Sequence, residues 1–219
     1  AAVKALTGGE AELDIKLCQL VNLLQDGQPV KMSKRSGTFV TLRDIIDEVG
    51  PGVVRFIMLT RRNDQTLDFD FAKVMEKSKD NPVWYVQYAH ARCHSVFRNA
   101  VKMFGDGITA SESLLAADLE KLDSHEELDL IRRMAAWPAV VSGAAQAHEP
   151  HRIAFYLYDL ASAFQQLYSR GNVNATLRFL LENDRSLTIA RLALVQSVAT
   201  VIAGGLRLIG VEPEEELRS

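Results

Sequence analysis

The sequence contains little cysteine, and its two thiols, Cys18 and Cys93, lie far apart with no C-x-x-C spacing. This pattern excludes a disulfide framework and favours a reducing compartment, so we expect the protein in the cytoplasm. The chain also has no run of about eighteen apolar residues, and it does not begin with an apolar segment. Neither a membrane span nor a signal peptide is therefore predicted.

Several catalytic patterns are absent too. The chain has no Ser-His-Asp order, no pair of carboxylates at a convincing spacing and no glycine-rich nucleotide loop. His90 and His94 have a spacing that could place two imidazoles on one metal, but Ala91 stands where the zinc-protease motif requires glutamate. No metal site is therefore predicted. Because the chain also lacks an initiator methionine, we expect it to be a fragment of a longer protein.

The chain has no excess of positive charge, since its formal net charge is −3, but its charges are unevenly distributed. Residues 28–102 carry 13 Lys and Arg against 8 Asp and Glu, whereas residues 103–219 carry 10 against 16. A phosphate-rich partner would be steered first to the basic segment.

One stretch is strongly basic: Lys31-Met-Ser-Lys-Arg-Ser-Gly37 places three cations within five residues. Such a stretch can be an ordinary solvated loop. Alternatively, two lysines and an arginine beside a glycine can close over a polyphosphate and stabilise the charge that develops on a phosphoryl oxygen. Lys31, Lys34 and Arg35 are therefore candidate phosphate-binding residues.

The hydrophobic pattern changes along the chain from strand-like to helical. Residues 12–30 alternate apolar and polar positions and include the turn signal Asp26-Gly27, which predicts one or two strands. Beyond Thr41 the apolar spacing is helical, with proline, glycine and capping residues at the boundaries. The predicted helices span 41–49, 53–61, a segment capped by Asp68 or Asp70 and ending near 80, then 82–103, 113–122, 124–147, 150–171, 175–181 and 187–209.

These patterns predict a mainly α protein. Two strands cannot form a sheet by themselves, so we expect them to be the last strands of a sheet whose remainder lies upstream. The predicted organisation is the end of a sheet-containing domain at 1–40, connecting helices at 41–80 and a helical bundle at 81–219.

Polar and aromatic side chains suggest a second candidate site, in the helical part. Four of them lie within eight residues of one helix: Tyr85, Gln87, Tyr88 and Arg92. They could form an ordinary packed helix with its hydroxyls in water, or a surface that stacks on and hydrogen-bonds to single-stranded bases. Tyr85 and Tyr88 are three residues apart and are expected to share a face.

Two further residues of the later helices are candidates. Tyr168 lies at a predicted helix end, beside an arginine and an asparagine-rich loop. Arg191, in an otherwise apolar helix, could be an ordinary exposed charge or a phosphate contact.

Lys-Met-Ser-Lys resembles the signature loop of class I aminoacyl-tRNA synthetases. From about residue 12 onward the chain resembles the C-terminal portion of a bacterial arginyl-tRNA synthetase. The segments that carry this resemblance are 31–43, Val54-Arg-Phe56, Leu67-Asp-Phe-Asp-Phe71, Lys79-Asp-Asn-Pro82, Tyr85-Val-Gln-Tyr-Ala-His-Ala-Arg92, 190–194 and 205–213.

The resemblance implies the end of a Rossmann-like catalytic domain followed by a helical anticodon-binding domain. Lys31 and Lys34 would stabilise the ATP phosphates while arginine is activated, with Mg²⁺ in the longer enzyme, and Met32, Ser33 and Arg35 would complete the loop. Arg35 replaces the final serine of the broader pattern. The implied partners are tRNA(Arg), arginine and ATP, in a protein expected to be a monomer with no membrane contact. The residues implied to contact tRNA are Tyr85, Gln87, Tyr88, Arg92, Tyr168 and Arg191.

The chain departs from the family in lacking the His-x-Gly-His-type nucleotide motif, the arginine pocket and the N-terminal tRNA-binding domain. We therefore expect this polypeptide alone to be unable to activate arginine. The alternatives are a stand-alone tRNA-binding module, another class I synthetase such as the cysteinyl enzyme, and a protein-interaction bundle without an RNA role.

Overall fold

The computed structural model describes residues 1–30, 40–76, 78 and 80–217. The basic stretch, including Lys31, Met32, Ser33, Lys34 and Arg35, lies outside the described residues. The predictions made for it are therefore untested by the fold.

The N-terminal part combines a short helix with a small sheet. Helix α1 spans Ala2–Leu6, and strands β1 and β2 span Val21–Gln25 and Gln28–Pro29. Strands β1 and β2 form an antiparallel hairpin. Its turn residues, Asp26 and Gly27, both have positive φ, as tight primed turns require. The predicted turn is confirmed. The predicted strand over 12–30 is too long, because residues 12–20 carry no strand.

Helices α2, Leu42–Val49, and α3, Pro51–Met58, follow. The Thr41 capping box is confirmed: the Thr41 hydroxyl accepts from the Asp44 N–H, and the Asp44 carboxylate accepts from the Thr41 N–H. Gly50 separates the two helices with a φ of 85°, and Pro51 occupies the first turn of α3.

A strand that the sequence analysis missed comes next. Strand β3, Leu67–Asp70, pairs in parallel with β1, so the sheet order is β2-β1-β3. Asp70 then caps the short helix α4, Phe71–Met75, by accepting from the Ala72 N–H. Asp70 also accepts from the Gly27 N–H at 2.8 Å, which ties the hairpin turn to the start of α4. The predicted helix to residue 80 is therefore wrong; α4 ends at Met75.

Helix α5, Pro82–Phe104, is the long central helix that the sequence predicted. The Asn81 side-chain oxygen accepts from the Val83 N–H at 3.1 Å, and its amide donates to the carbonyls of Val74 and Glu76. One side chain therefore both starts α5 and fixes the end of α4 against it.

The remaining chain is helical. Its helices are α6, Ser111–Leu115; α7, His125–Ala135; α8, Trp137–Ala147; α9, His151–Val173; and α10, Arg185–Leu208. Short 3₁₀ turns span Asp106–Thr109, Leu119–Lys121 and Ala175–Leu177.

Several predicted boundaries differ from the observed ones. The predicted helix over 113–122 is the short α6 and a separate 3₁₀ turn, and the predicted helix over 175–181 is only a 3₁₀ turn. The segment 124–147 is two helices, because Pro138 has no N–H for the ladder and the chain breaks at Ala136. Gly171 does not end α9 but lies within it, where a Cβ would stand 3.0 Å from the Leu177 carbonyl oxygen. Helix α10 begins at Arg185, because Asp184 accepts from the Leu187 N–H.

The core lies where α5, α9 and α10 pack together, lined by fully buried side chains such as Phe164, Leu157 and Leu192. Helix α10 is long and apolar enough to cross a membrane by length and composition alone, but 61% of its most apolar window is buried inside the bundle. The predicted mainly α fold with a small sheet ahead of a bundle is confirmed.

A buried ion pair joins α7 to α10. Arg191 Nε donates to Glu127 Oε1 at 2.6 Å, and its Nη1 donates to the Arg178 carbonyl at 2.7 Å. The other Glu127 oxygen accepts from the N–H and hydroxyl of Ser124, which completes the predicted capping box. Only 4% of Arg191 is exposed. The expectation that Arg191 is a surface charge is wrong, because its guanidinium is buried and pairs with Glu127.

Removing the guanidinium should destabilise the bundle strongly. In Arg191→Met the Glu127 carboxylate stays buried without its counter-charge, which costs about 3–5 kcal/mol of unfolding free energy. Urea denaturation followed by circular dichroism measures this loss. The control, Arg133→Met, breaks the exposed Arg133–Asp129 pair and should cost less than about 1 kcal/mol. Equal losses in the two variants would contradict the assignment.

Candidate nucleic-acid interface

Three of the predicted site residues meet at one point between α5 and α9. The Arg92 guanidinium carbon lies 4.3 Å from the centre of the Tyr88 ring and 4.3 Å from the centre of the Tyr168 ring. Arg92 also donates to the Tyr88 hydroxyl. These distances are within the range of cation–π attraction. We call Tyr88, Arg92 and Tyr168 the aromatic–arginine cluster.

Each member of the cluster is held by helix geometry and by neighbouring rings. Tyr88 and Arg92 are four residues apart on α5 and therefore share a face. Tyr88 stacks on Trp84 with ring centres 4.8 Å apart and planes 12° apart. Tyr168 comes from α9 and packs against Phe179, whose ring centre lies 6.3 Å away. Two helices thus converge on one guanidinium, and the loop after α9 supports one of the two rings.

The cluster lines a surface cleft of about 340 Å³. The α5 wall continues through Ser95 to Arg98, a cation that the sequence analysis did not single out. The opposite wall comes from the C-terminal segment through Glu216 and Leu217. Arg98 lies 3.5 Å from the Glu216 carboxylate. A cleft with aromatic faces, an arginine plane and a second arginine can accommodate both a base and a phosphate.

The remaining predicted residue on the inner side of α5, Gln87, holds the C-terminal segment. Its side-chain amide donates to the Glu212 carbonyl at 2.6 Å and accepts from the Glu214 N–H at 2.8 Å. Only 8% of Gln87 is exposed, so its polar groups face the protein. Spacing along the helix could not distinguish this position from an exposed one, because the segment that covers it lies more than 120 residues away.

Tyr85 packs away from the cluster. Its ring centre lies 5.0 Å from that of Tyr158 on α9, and Tyr85 does not line the cleft. Tyr85 and Tyr88 therefore contact different neighbours, although three-residue spacing places them on adjoining parts of the helix surface.

His90 and His94 sit beside the C-terminal segment. His90 Nδ1 lies 2.7 Å from the Glu214 carbonyl oxygen, to which the ring donates, and the two imidazole centres are 4.7 Å apart. Burial lowers the pKa of His90; the hydrogen bond to Glu214 opposes this shift, and the neighbouring His94 adds to it. Within the described residues no three His, Cys, Asp or Glu side chains lie close enough together to hold a metal ion.

Acid should weaken the fold through His90. Because its pKa is lower in the folded than in the unfolded chain, the unfolded chain binds the proton more tightly, and stability falls as the pH drops below about 6.5. In His90→Asn the amide can still donate to the Glu214 carbonyl but cannot titrate. The unfolding free energy of this variant, from urea curves at pH 7 and pH 5, should fall less than that of the unaltered chain.

The exposed His125 provides the control. His125→Asn leaves His90 and its bond to Glu214 in place, so it should keep the loss of stability in acid that His90 causes. Arg207 and Glu215 also act on His90, so their charges must be kept in both variants. An unchanged acid sensitivity in His90→Asn would contradict the role assigned to this ring.

Comparison with known proteins gives consistent matches. The sequence profile of a family described as the DALR anticodon binding domain matches residues 86–217. Over its full 219 residues the chain is 61% identical to an arginine–tRNA ligase of Rhodospirillum rubrum, and it is 57% identical to one of Rhodopseudomonas palustris. The chain spans 37% of the length of each of these relatives.

Solved structures give the same picture. A protein of Campylobacter jejuni, provisionally identified as an arginyl-tRNA synthetase, superposes with a TM-score of 0.81 at 31% identity, over 99% of this chain and 44% of that one. The arginyl-tRNA synthetase of Thermus thermophilus gives a TM-score of 0.62 at 25% identity, over 91% of this chain and 35% of that one. The profile match includes all three members of the aromatic–arginine cluster.

Proposed function

Because the chain belongs to the DALR anticodon-binding domain family, we propose that it is the C-terminal portion of an arginine–tRNA ligase and binds the anticodon region of tRNA(Arg). The observation that carries this proposal is the Arg92 guanidinium held between two tyrosine rings at the wall of an open cleft. Such a cluster suits RNA loops, whose unstacked bases are bound by aromatic rings and arginine planes.

The proposed RNA contacts are the aromatic–arginine cluster and Arg98. Stacking on an aromatic ring contributes about 1–3 kcal/mol per base, and an arginine adds attraction to phosphate. Gln87 acts indirectly, by holding the segment that forms the opposite wall. Tyr85 and Arg191 are left out of this contact set, since one packs on Tyr158 and the other pairs with Glu127.

In the longer protein, the proposed reaction activates arginine with ATP and transfers it to the tRNA. Lys31, Lys34 and Arg35 would meet the ATP phosphates, with Met32 and Ser33 shaping the loop; fixed cations at these positions would stabilise the charge of the leaving pyrophosphate. Among the described residues none forms a Mg²⁺ site, so we assign no residue to that ion. We further propose that the protein works in the cytoplasm as a monomer.

The binding proposal predicts that the 219-residue chain binds tRNA(Arg) more tightly than an unrelated tRNA. Arg92→Met removes the shared cation and should weaken binding about tenfold. The salt dependence of the affinity should also become shallower, by up to about one unit of log Kd per log unit of salt concentration, because one positive charge near the RNA backbone is lost. Fluorescence anisotropy over a salt series measures both quantities.

The matched control is Arg132→Met, which removes an exposed arginine of α7 that does not line the cleft. It should change the affinity less than twofold. If both variants bind as the unaltered chain does, the cleft is not the RNA site. If the unaltered chain has no tRNA affinity even at low salt, a protein-interaction bundle replaces the proposal.

The second part of the proposal concerns activation of arginine. The 219-residue chain alone should give no arginine-dependent ATP–pyrophosphate exchange, whereas the longer protein should. Changing both Lys31 and Lys34 to alanine in the longer protein should abolish the exchange, because the phosphate charge is no longer neutralised. Lys102→Ala, an exposed position on α5, is the control.

Three results would contradict this part. Exchange by the isolated chain would mean that it contains a complete activation site. Charging of cysteine instead of arginine by the longer protein would assign the chain to a different class I synthetase. Binding of tRNA without any charging would favour a stand-alone tRNA-binding module.

A further inference from the structure

Gln165, which the sequence analysis did not single out, forms a hydrogen bond to the arginine of the aromatic–arginine cluster. It lies on α9 about one turn before Tyr168, and only 7% of it is exposed. Its Oε1 accepts a hydrogen bond of 2.6 Å from Arg92 Nη1. Its Nε2 is buried and has no hydrogen-bond partner within the described part of the chain.

The chemistry of arginine fixes the orientation of this amide. A guanidinium only donates hydrogen bonds, so the amide oxygen must face Arg92 and the amide nitrogen must turn away from it. Gln165 therefore satisfies Arg92 while leaving a donor of its own unpaired. Buried polar groups are nearly always paired, so an unpaired one indicates a residue that is not optimised for stability.

The bond to Gln165 completes the set of interactions that hold the guanidinium. Arg92 donates to Gln165 and to the Tyr88 hydroxyl, and its carbon lies at the same distance from both tyrosine rings. Among these partners in the described part of the chain, Gln165 is the one whose side chain is buried. Without it, a long side chain would regain rotamer freedom that a ligand would then have to remove on binding.

We propose that Gln165 is a positioning residue for RNA binding: it holds the Arg92 guanidinium between Tyr88 and Tyr168, ready for a nucleotide in the cleft. The inference rests on the proposed function, because it requires that the cleft binds RNA. Gln165 itself does not line the cleft, so it acts through Arg92.

The test compares two neighbouring glutamines of α9 in the 219-residue chain. Gln165→Met keeps the length of the side chain and removes the acceptor. Binding of the tRNA(Arg) anticodon stem–loop, measured by fluorescence anisotropy, should weaken about five- to tenfold. Gln166→Met alters an exposed glutamine that contacts Ser162, and it should bind as the unaltered chain does.

A double-mutant cycle separates positioning from a general structural effect. If Gln165 acts through Arg92, then Gln165→Met should cause no further loss of affinity in a chain that already carries Arg92→Met. The thermal midpoint of Gln165→Met should equal or exceed that of the unaltered chain, because an unpaired buried donor has been removed. Equal affinity of Gln165→Met and the unaltered chain, or additive losses in the cycle, would overturn the proposal.

If Gln165→Met does not fold, Gln165→Asn provides a second test. Its side chain is one methylene shorter, so it fits within the site but places the amide oxygen farther from Arg92. The same loss of RNA affinity is therefore expected. Unchanged binding of that variant would also overturn the proposal. The outcomes distinguish this inference from the proposed function, which fails only if the unaltered chain does not bind or if Arg92→Met binds normally.

Discussion

The buried ion pair between Glu127 and Arg191 is the constraint on which the rest of the bundle depends. Arg191 also donates to the carbonyl of Arg178, so the pair fixes α7, α10 and the loop after α9 relative to one another. The next residue in that loop, Phe179, stacks near Phe164 and packs against Tyr168. A charge pair in the core therefore determines where one ring of the surface cluster stands, although neither charge reaches the surface.

Two sides of helix α5 hold different parts of the structure: one holds the C-terminal segment, and the other meets α9. Along one side of α5, Gln87 and His90 bind the backbone of residues 212–214, and Arg98 reaches Glu216 further along. On the adjoining side, Tyr88 and Arg92 meet α9. Because backbone groups of the segment are held by buried side chains, its position does not depend on exposed ion pairs, which contribute little and are screened by salt. The cleft wall at Glu216 and Leu217 therefore follows directly after a stretch of backbone that buried side chains hold in place.

The sequence predicted features that depend on local chemistry and missed those that depend on distant partners. The capping boxes at Thr41 and Ser124 and the Asp26-Gly27 turn were read correctly because each is closed within a few residues. Strand β3 was missed because its partner lies 46 residues earlier. Arg191 and Gln87 were expected at the surface because helical spacing says which residues share a face, but not which face another segment covers. The three members of the aromatic–arginine cluster were each predicted as site residues, but their contacts with one another were not predicted.

The charges around the cleft explain why its aromatic rings matter. Glu216 lies beside Arg98 at the cleft wall, and the C-terminal segment adds further glutamates. An anion that approaches Arg98 is therefore also repelled by these negative charges. Arg92, by contrast, faces two rings and a neutral amide. A free phosphate gains little from such a site, whereas a nucleotide gains stacking and charge attraction together. Acidic residues near a binding cation thus act against simple anions and in favour of ligands that also carry a base.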